Sequence, residues 1–410
     1  MWKMVSLLLL CSTSVGAATL KEAYQSARLN METLKRADAT IEQRQELKNQ
    51  ARAGMLPTIA GVGNYTKIDE PDASGVNRAF ILTKQYSAAL RLTQPLLRGG
   101  AIGAYQFAKE SILLSEFQRD ASDINLYQLV INAYFGLKSA QLDIQNLEEL
   151  LKASRERVNE IRERTKIGRS RRGELVEAEA QLHTADAQYK QGLFQIEQAQ
   201  RMYEFYTQLK AENIPDLSPV AQIKGSLEDY LTKLKNRPDL LANDQQVRVA
   251  DRQVEISKGG HYPSVDLVSN YYFDRTGVLA SSEWDAALVF NVPLFQGGGV
   301  AAQVRESVAA KRVAQLNSQE AKRAAERDLA ILYRNYTQIV DQLNSLKTAL
   351  SKAEEAYRLN RNDYKYGIVT NLDVLQSLNV YIQTKRSYNN LFVLAHQATH
   401  SLDAATGVLP

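Results

Sequence analysis

The sequence predicts a mainly α protein with a small β part: long rod-like helices, plus four strands per chain that belong to a transmembrane barrel shared between chains. Three observations predict it. First, Val300 to Tyr366 contains neither proline nor glycine, and within it Leu329, Leu332, Tyr336, Ile339, Leu343, Leu346, Leu350, Ala353 and Tyr357 step by alternating three and four. That is a heptad a/d seam, the mark of a coiled-coil-like helix. At 1.5 Å per residue the run spans on the order of 100 Å. Second, the seam is duplicated. Val130, Ala133, Leu137, Ala140, Ile144, Leu147, Leu151, Ser154 and Val158 map onto it one for one, so the chain is a tandem repeat of one unit. Third, each repeat holds two stretches of about ten residues with one apolar and one polar face, the length and pattern of membrane-crossing strands.

In chain order, residues 1–18 read as a secretory signal: Lys3, an apolar run from Met4 to Leu10, then small residues up to Ala18. Residues 19–210 form the first repeat. Leu20 to Arg52 carries helix formers throughout and predicts one helix. Thr58 to Lys67 and Tyr86 to Leu96 predict strands, joined by the polar turn Asp69 to Gly75. Gln94-Pro95-Leu96-Leu97-Arg98-Gly99-Gly100 is expected to break the second strand. A rod from Ile102 to Lys166, a turn at Gly168 to Gly173 and a return helix from Glu174 to Leu209 follow. Residues 211–235, with Pro215 and Pro219, are the linker. The second repeat, 236–410, opens a helix at Pro238, in its first turn. Strands follow from Pro263 and from Trp284, then Val292 to Gly299 answers Gln94 to Gly100. The second rod turns at Gly367 to Asn371 and returns over Leu372 to Ala405.

In the last strand Trp284, Leu288 and Phe290 share the apolar face and are expected to meet lipid, while Asp285 and Asn291 alternate with them. Arg91, Asp266, Asn270, Asp274 and Asp285 are expected on the lumen side. Four strands cannot close a barrel, and an open sheet edge is not tolerated in lipid. Several chains must therefore share one barrel; the strand count alone does not choose their number.

Composition excludes much else. A formal charge of +4 with 23% charged residues predicts a mixed solvated surface and no nucleic-acid partner. The single cysteine, Cys11, is expected to leave with the signal, since Leu10 before it does not suit lipidation. Gly99-Gly100 and Gly297-Gly298-Gly299 lack the Lys-Ser/Thr of a phosphate loop and read as corners. His396 and His400 share a helix face but lack the Glu and third ligand of a zinc site. No enzyme, metal or cofactor is expected.

Arg237 to Leu240 (RPDL), Val292 to Gly299 (VPLFQGGG) and above all Asn362 to Ser377 (NDYKYGIVTNLDVLQS) resemble the TolC family of outer-membrane efflux proteins. The resemblance implies a homotrimer with a twelve-stranded barrel in the outer membrane. It also implies an α-helical barrel across the periplasm, docked on an adaptor protein and an inner-membrane transporter. It makes the chain a passive exit duct of an efflux or type I secretion system, gated at its periplasmic helix tips. Matched by motif, Asp373 takes the first acidic gate position and Gln376 stands at the second. Tyr364 is implied to bond Glu174; Val369 replaces a gate arginine, for which Arg169, Arg171 and Arg172 are candidate substitutes. Gly168, Gly367, Leu372, Val374 and Leu375 are implied docking residues. The competing reading is a periplasmic structural rod without channel activity, which explains the heptads but not the amphipathic strands.

Overall fold

A computed structural model describes residues 18–69, 84–220, 223, 225–277 and 279–410. The expected signal through residue 17, Cys11 and the turn after Asp69 lie outside the described residues. The elements run α1 (Leu20–Asn30), α2 (Glu32–Ala53), β1 (Thr58–Lys67), β2 (Lys84–Leu97), α3 (Ala101–Lys166) and α4 (Arg172–Thr207). The linker holds α5 (Leu227–Lys233), and then come α6 (Pro238–Gly259), β3 (Ser264–Arg275), β4 (Trp284–Asn291), α7 (Gly299–Asp363) and α8 (Asn371–Ala405). No described helix is long and apolar enough to cross a membrane.

The chain divides into two compact units. One gathers the chain up to Lys35, Ser122–Arg237 and Ala324–Pro410; the other holds Arg36–Ala121 and Pro238–Arg323.

The first unit is helical, and the heptad seams make its core. From Val130 to Val158 every seam position is buried except Ala140 and Ile144, which are half-buried. In α7, Leu329, Tyr336 and Ala353 are buried and the other seam residues half-buried. One cluster joins Leu126, Tyr127, Val130, Tyr134 and Leu137 of α3 to Ala23 and Ala27 of α1, Tyr203 of α4 and Val393 of α8. A second joins Leu150 and Leu151 to Ala185 of α4, Ala353 of α7 and Leu378, Tyr381 and Ile382 of α8. Ion pairs flank this core: Arg386 grips Asp143 with two bonds, of 2.6 and 2.9 Å. Buried Lys138 donates to the Ile214 carbonyl and Asp216 of the linker, at 3.0 and 3.1 Å.

The second unit carries the sheet. Its order is β1-β2-β3-β4, antiparallel throughout. The corner after β2 lies against the end of α6, where a Cβ at Gly99 would overlap the Gly259 carbonyl. Only glycine permits backbones to approach so closely.

One expectation needs correction. The N-terminal helix is not continuous: it breaks at Met31, whose ψ of 131° is extended. The side chain of Met31 turns into the core, and the Lys35 ammonium, 2.9 Å away, satisfies the Asn30 carbonyl freed by the break. β2 carries Pro95 within it and runs to Leu97, one residue past its expected end at Leu96. Beyond Thr93 the strand has no β1 partner, so a residue without an N–H is tolerated on that edge.

Candidate functional site

Two regions carry chemistry. The first is the sheet, whose faces differ. On one, Ile59 pairs across from Leu92, Leu90 from Tyr271, Tyr271 from Trp284, Leu267 from Leu288 and Val265 from Phe290. This face is bare: Ile59, Phe273, Trp284 and Phe290 are 65 to 73% exposed. On the other, Arg91, Asn270 and Asp285 stand in one cross-strand row. Arg91 Nε donates to Asn270 Oδ1 at 2.8 Å, and Asn270 Nδ2 donates to Asp285 at 2.7 Å. The Tyr272 hydroxyl donates to the same carboxylate at 2.9 Å. An exposed aromatic face opposite a self-satisfied polar row suits lipid on one side and water on the other.

The second region is the pair of helix tips in the helical unit, which the duplication builds alike. α3 closes with Gly168 at φ +73° and α7 closes, through a 3-10 turn at Tyr364–Tyr366, with Gly367 at φ +74°. Only glycine takes this left-handed conformation without strain. In each tip the residue after glycine bonds five positions back: Arg169 N–H to the Arg164 carbonyl at 2.8 Å, Ile368 N–H to the Asp363 carbonyl at 3.1 Å. This is the Schellman closure of a helix end.

Across the tips, the Tyr364 hydroxyl donates to Glu174 at 3.2 Å and lies 3.1 Å from the Ser170 hydroxyl. Asp373 caps the start of α8. Its carboxylate accepts from the Thr370 hydroxyl at 2.6 Å and from the Thr370 N–H at 2.8 Å, while its own N–H returns a bond to Thr370. Those bonds hold its carboxyl below the usual carboxylate range, the hydroxyl contributing most. Gln376 is exposed on the next turn. Arg169, Arg171 and Arg172 are exposed on the first tip. The guanidinium groups stacked on Tyr364 belong instead to Arg157 and Arg164 of α3, 3.7 and 4.7 Å from its ring centre. Sequence reasoning passed over both, because an arginine beside a heptad seam looks like a solvated flank. Among the expected docking residues, Gly168, Gly367 and Leu372 are exposed, whereas Val374 and Leu375 are buried at 2 and 5% and serve the chain's own packing.

His396 and His400 have structural partners. A ring N–H of His396 donates to the Ser218 carbonyl at 2.9 Å, and both rings stack on Phe135. Among the described residues no group of three His, Cys, Asp or Glu is arranged to hold a metal ion.

The model of the outer membrane efflux protein family matches residues 23–204 and 232–408. The chain belongs to that family. As an outer membrane efflux protein it is a channel of the outer membrane that extends into the periplasm, which displaces the structural-rod alternative. It is 26% identical to the proteases secretion protein PrtF of Dickeya chrysanthemi, over 99% of this chain and 92% of the relative. It is 23% identical to the outer membrane protein TolC of Escherichia coli, over 91% of this chain and 79% of that one. The solved VceC channel of Vibrio cholerae superimposes with a TM-score of 0.83 at 20% identity, covering 95% of this chain and 96% of VceC. The CmeC channel of Campylobacter jejuni gives 0.84 at 18% identity, over 95 and 85%. Family members are passive channels rather than enzymes.

Proposed function

We propose that three copies of this efflux-family chain close one twelve-stranded barrel, and that their helix tips gate it at the periplasmic end. The observation that carries the proposal is the sheet itself: among the described residues it has four strands in one order, with β1 and β4 each unpaired on an outer edge. Lipid does not accept open edges, so β4 of one copy must pair with β1 of the next. TolC-family homologues act as trimers with adaptor proteins and inner-membrane transporters, which supports the count of three and a pump that supplies the energy. The closed gate rests on Tyr364, whose hydroxyl ties the second tip to Glu174 on the first. Three copies of ionised Asp373 would draw cations to the opening. Exposed Gly168, Gly367 and Leu372 would meet the pump assembly. One relative's name speaks of proteases and another's of toluene; such breadth fits cargo chosen by the partner pump.

The test is conductance in planar lipid bilayers. Tyr364→Phe with Glu174→Gln removes the link between tips and is expected to raise single-channel conductance severalfold at unchanged oligomeric mass. Wild-type conductance in that double variant would contradict the pairing.

A further inference from the structure

Arg157 is the most constrained charge near the tips. It sits on α3 with a side chain only 6% exposed, in a place where a lone guanidinium would be costly. Its bonds reach two different parts of the second hairpin. Nε donates to Asn371 Oδ1 at 2.9 Å, and the guanidinium carbon lies 3.7 Å from the centre of the Tyr364 ring. Nη1 pairs with Glu160 at 3.0 Å, and Nη2 is buried without a hydrogen-bond partner. Asn371 is itself a junction. It is the first residue of α8, is 1% exposed, and its amide donates to the Glu174 carbonyl at 3.4 Å and to Glu177 at 3.5 Å. Two turns further along α3, Arg164 lies over the same tyrosine ring and donates to the Tyr364 carbonyl at 3.4 Å.

The arrangement has a direction. Tyr364 and Asn371 flank the turn of the second hairpin, one at the end of α7 and one at the start of α8. Arg157 holds both from the first hairpin. Pulling that turn away would strip a buried cation of its aromatic face and of one of its two hydrogen-bonded partners together. Burial shields such contacts from salt far better than the exposed arginines of the first tip are shielded.

We propose that Arg157 is the latch of the gate: a positioning residue that keeps the second hairpin's turn closed against the first through the ring of Tyr364 and the amide of Asn371. The proposal rests on the gate reading above. It makes a distinction that the Tyr364–Glu174 link does not, because the latch works through the ring and the link works through the hydroxyl.

Single-channel recordings of the intact channel in planar bilayers test it. Arg157→Met removes the cation and is expected to raise the open probability about tenfold, the scale of one lost charged hydrogen bond. Oligomeric mass and melting temperature serve as controls that the channel still assembles. The increase should persist in a Tyr364→Phe background, which keeps the ring, and shrink in Tyr364→Leu, which removes it. Arg157→Lys should restore part of the closure, since an ammonium retains the attraction to the ring but lacks the planar fork. If Arg157→Met assembles and conducts like wild type while Tyr364→Phe with Glu174→Gln leaks, the gate reading stands and the latch is wrong. If neither leaks, both fall. If Arg157→Met fails to assemble, Asn371→Ala, which leaves the cation in place, is expected to leak by itself; a tight Asn371→Ala channel would overturn the latch.

Discussion

Tyr364 shows how one side chain can serve two links at once. Its hydroxyl reaches Glu174 in the first turn of the first return helix and Ser170 in the turn before it, while its ring carries Arg157 and Arg164 from the rod. The family motif marked the tyrosine and its acidic partner; it could not mark Arg157, whose partner Asn371 lies 214 positions away. The motif match makes Asp373 a gate charge, and it also caps α8. Asp373→Asn is expected to weaken that cap, seen as faster amide hydrogen exchange over the first turn of α8; unchanged exchange would argue against the capping role. Its depressed pKa means that the cap's contribution is full above pH about 4 and is lost as pH falls through the lower folded value. The histidines give a second pH dependence. Burial pushes the imidazoles of His396 and His400 below their ordinary value, foremost by desolvation. An unfolded chain takes up these protons below pH about 6.5 while the folded one resists, so stability is full above that pH and falls beneath it. Burial raises the nearby Asp403 carboxyl, a cost to the folded state at neutral pH that is relieved as pH falls through the raised value. Melting temperature is therefore expected to drop as pH is lowered from about 7.5 to about 5.5, and His396→Gln with His400→Gln to flatten the drop. A flat wild-type profile would contradict this.

At the scale of elements, periodicity did most of the work. Period 3.5 and the lack of helix breakers located both rods within three residues, and β-propensity with period 2 located the four strands. What periodicity could not see was a break made by packing. Met31 interrupts a run of good helix formers with no proline or glycine to announce it, because its side chain belongs in the core shared with Leu34. Two predictions belong here. Leu147, buried at 2%, contacts the α4 backbone where Gly192 leaves room for it. Leu147→Ala is expected to cost about 2–5 kcal/mol, read as a lower melting temperature. Leu288 stands on the exposed apolar face of β4. Leu288→Arg is expected to cost up to about 2–4 kcal/mol if it sits near the bilayer midplane, read as reduced recovery from outer membranes. Normal recovery would place that face in water.

At the scale of the whole molecule, one chain carries two unlike parts: a sheet that suits lipid and neighbours, and helices that suit water. The duplication explains why each copy contributes two strands and one hairpin pair. Membership of the efflux family fixes the membrane and the passive role, and closing the sheet requires more than one chain. The sequence implied three chains only through family resemblance, because strand count alone permits other numbers. The direct test is the mass of the particle extracted from outer membranes, measured by light scattering corrected for bound detergent. A mass of three chains is the expected result, matching twelve strands with no free edge. A stable single chain would leave β1 and β4 open to lipid and would contradict the shared barrel.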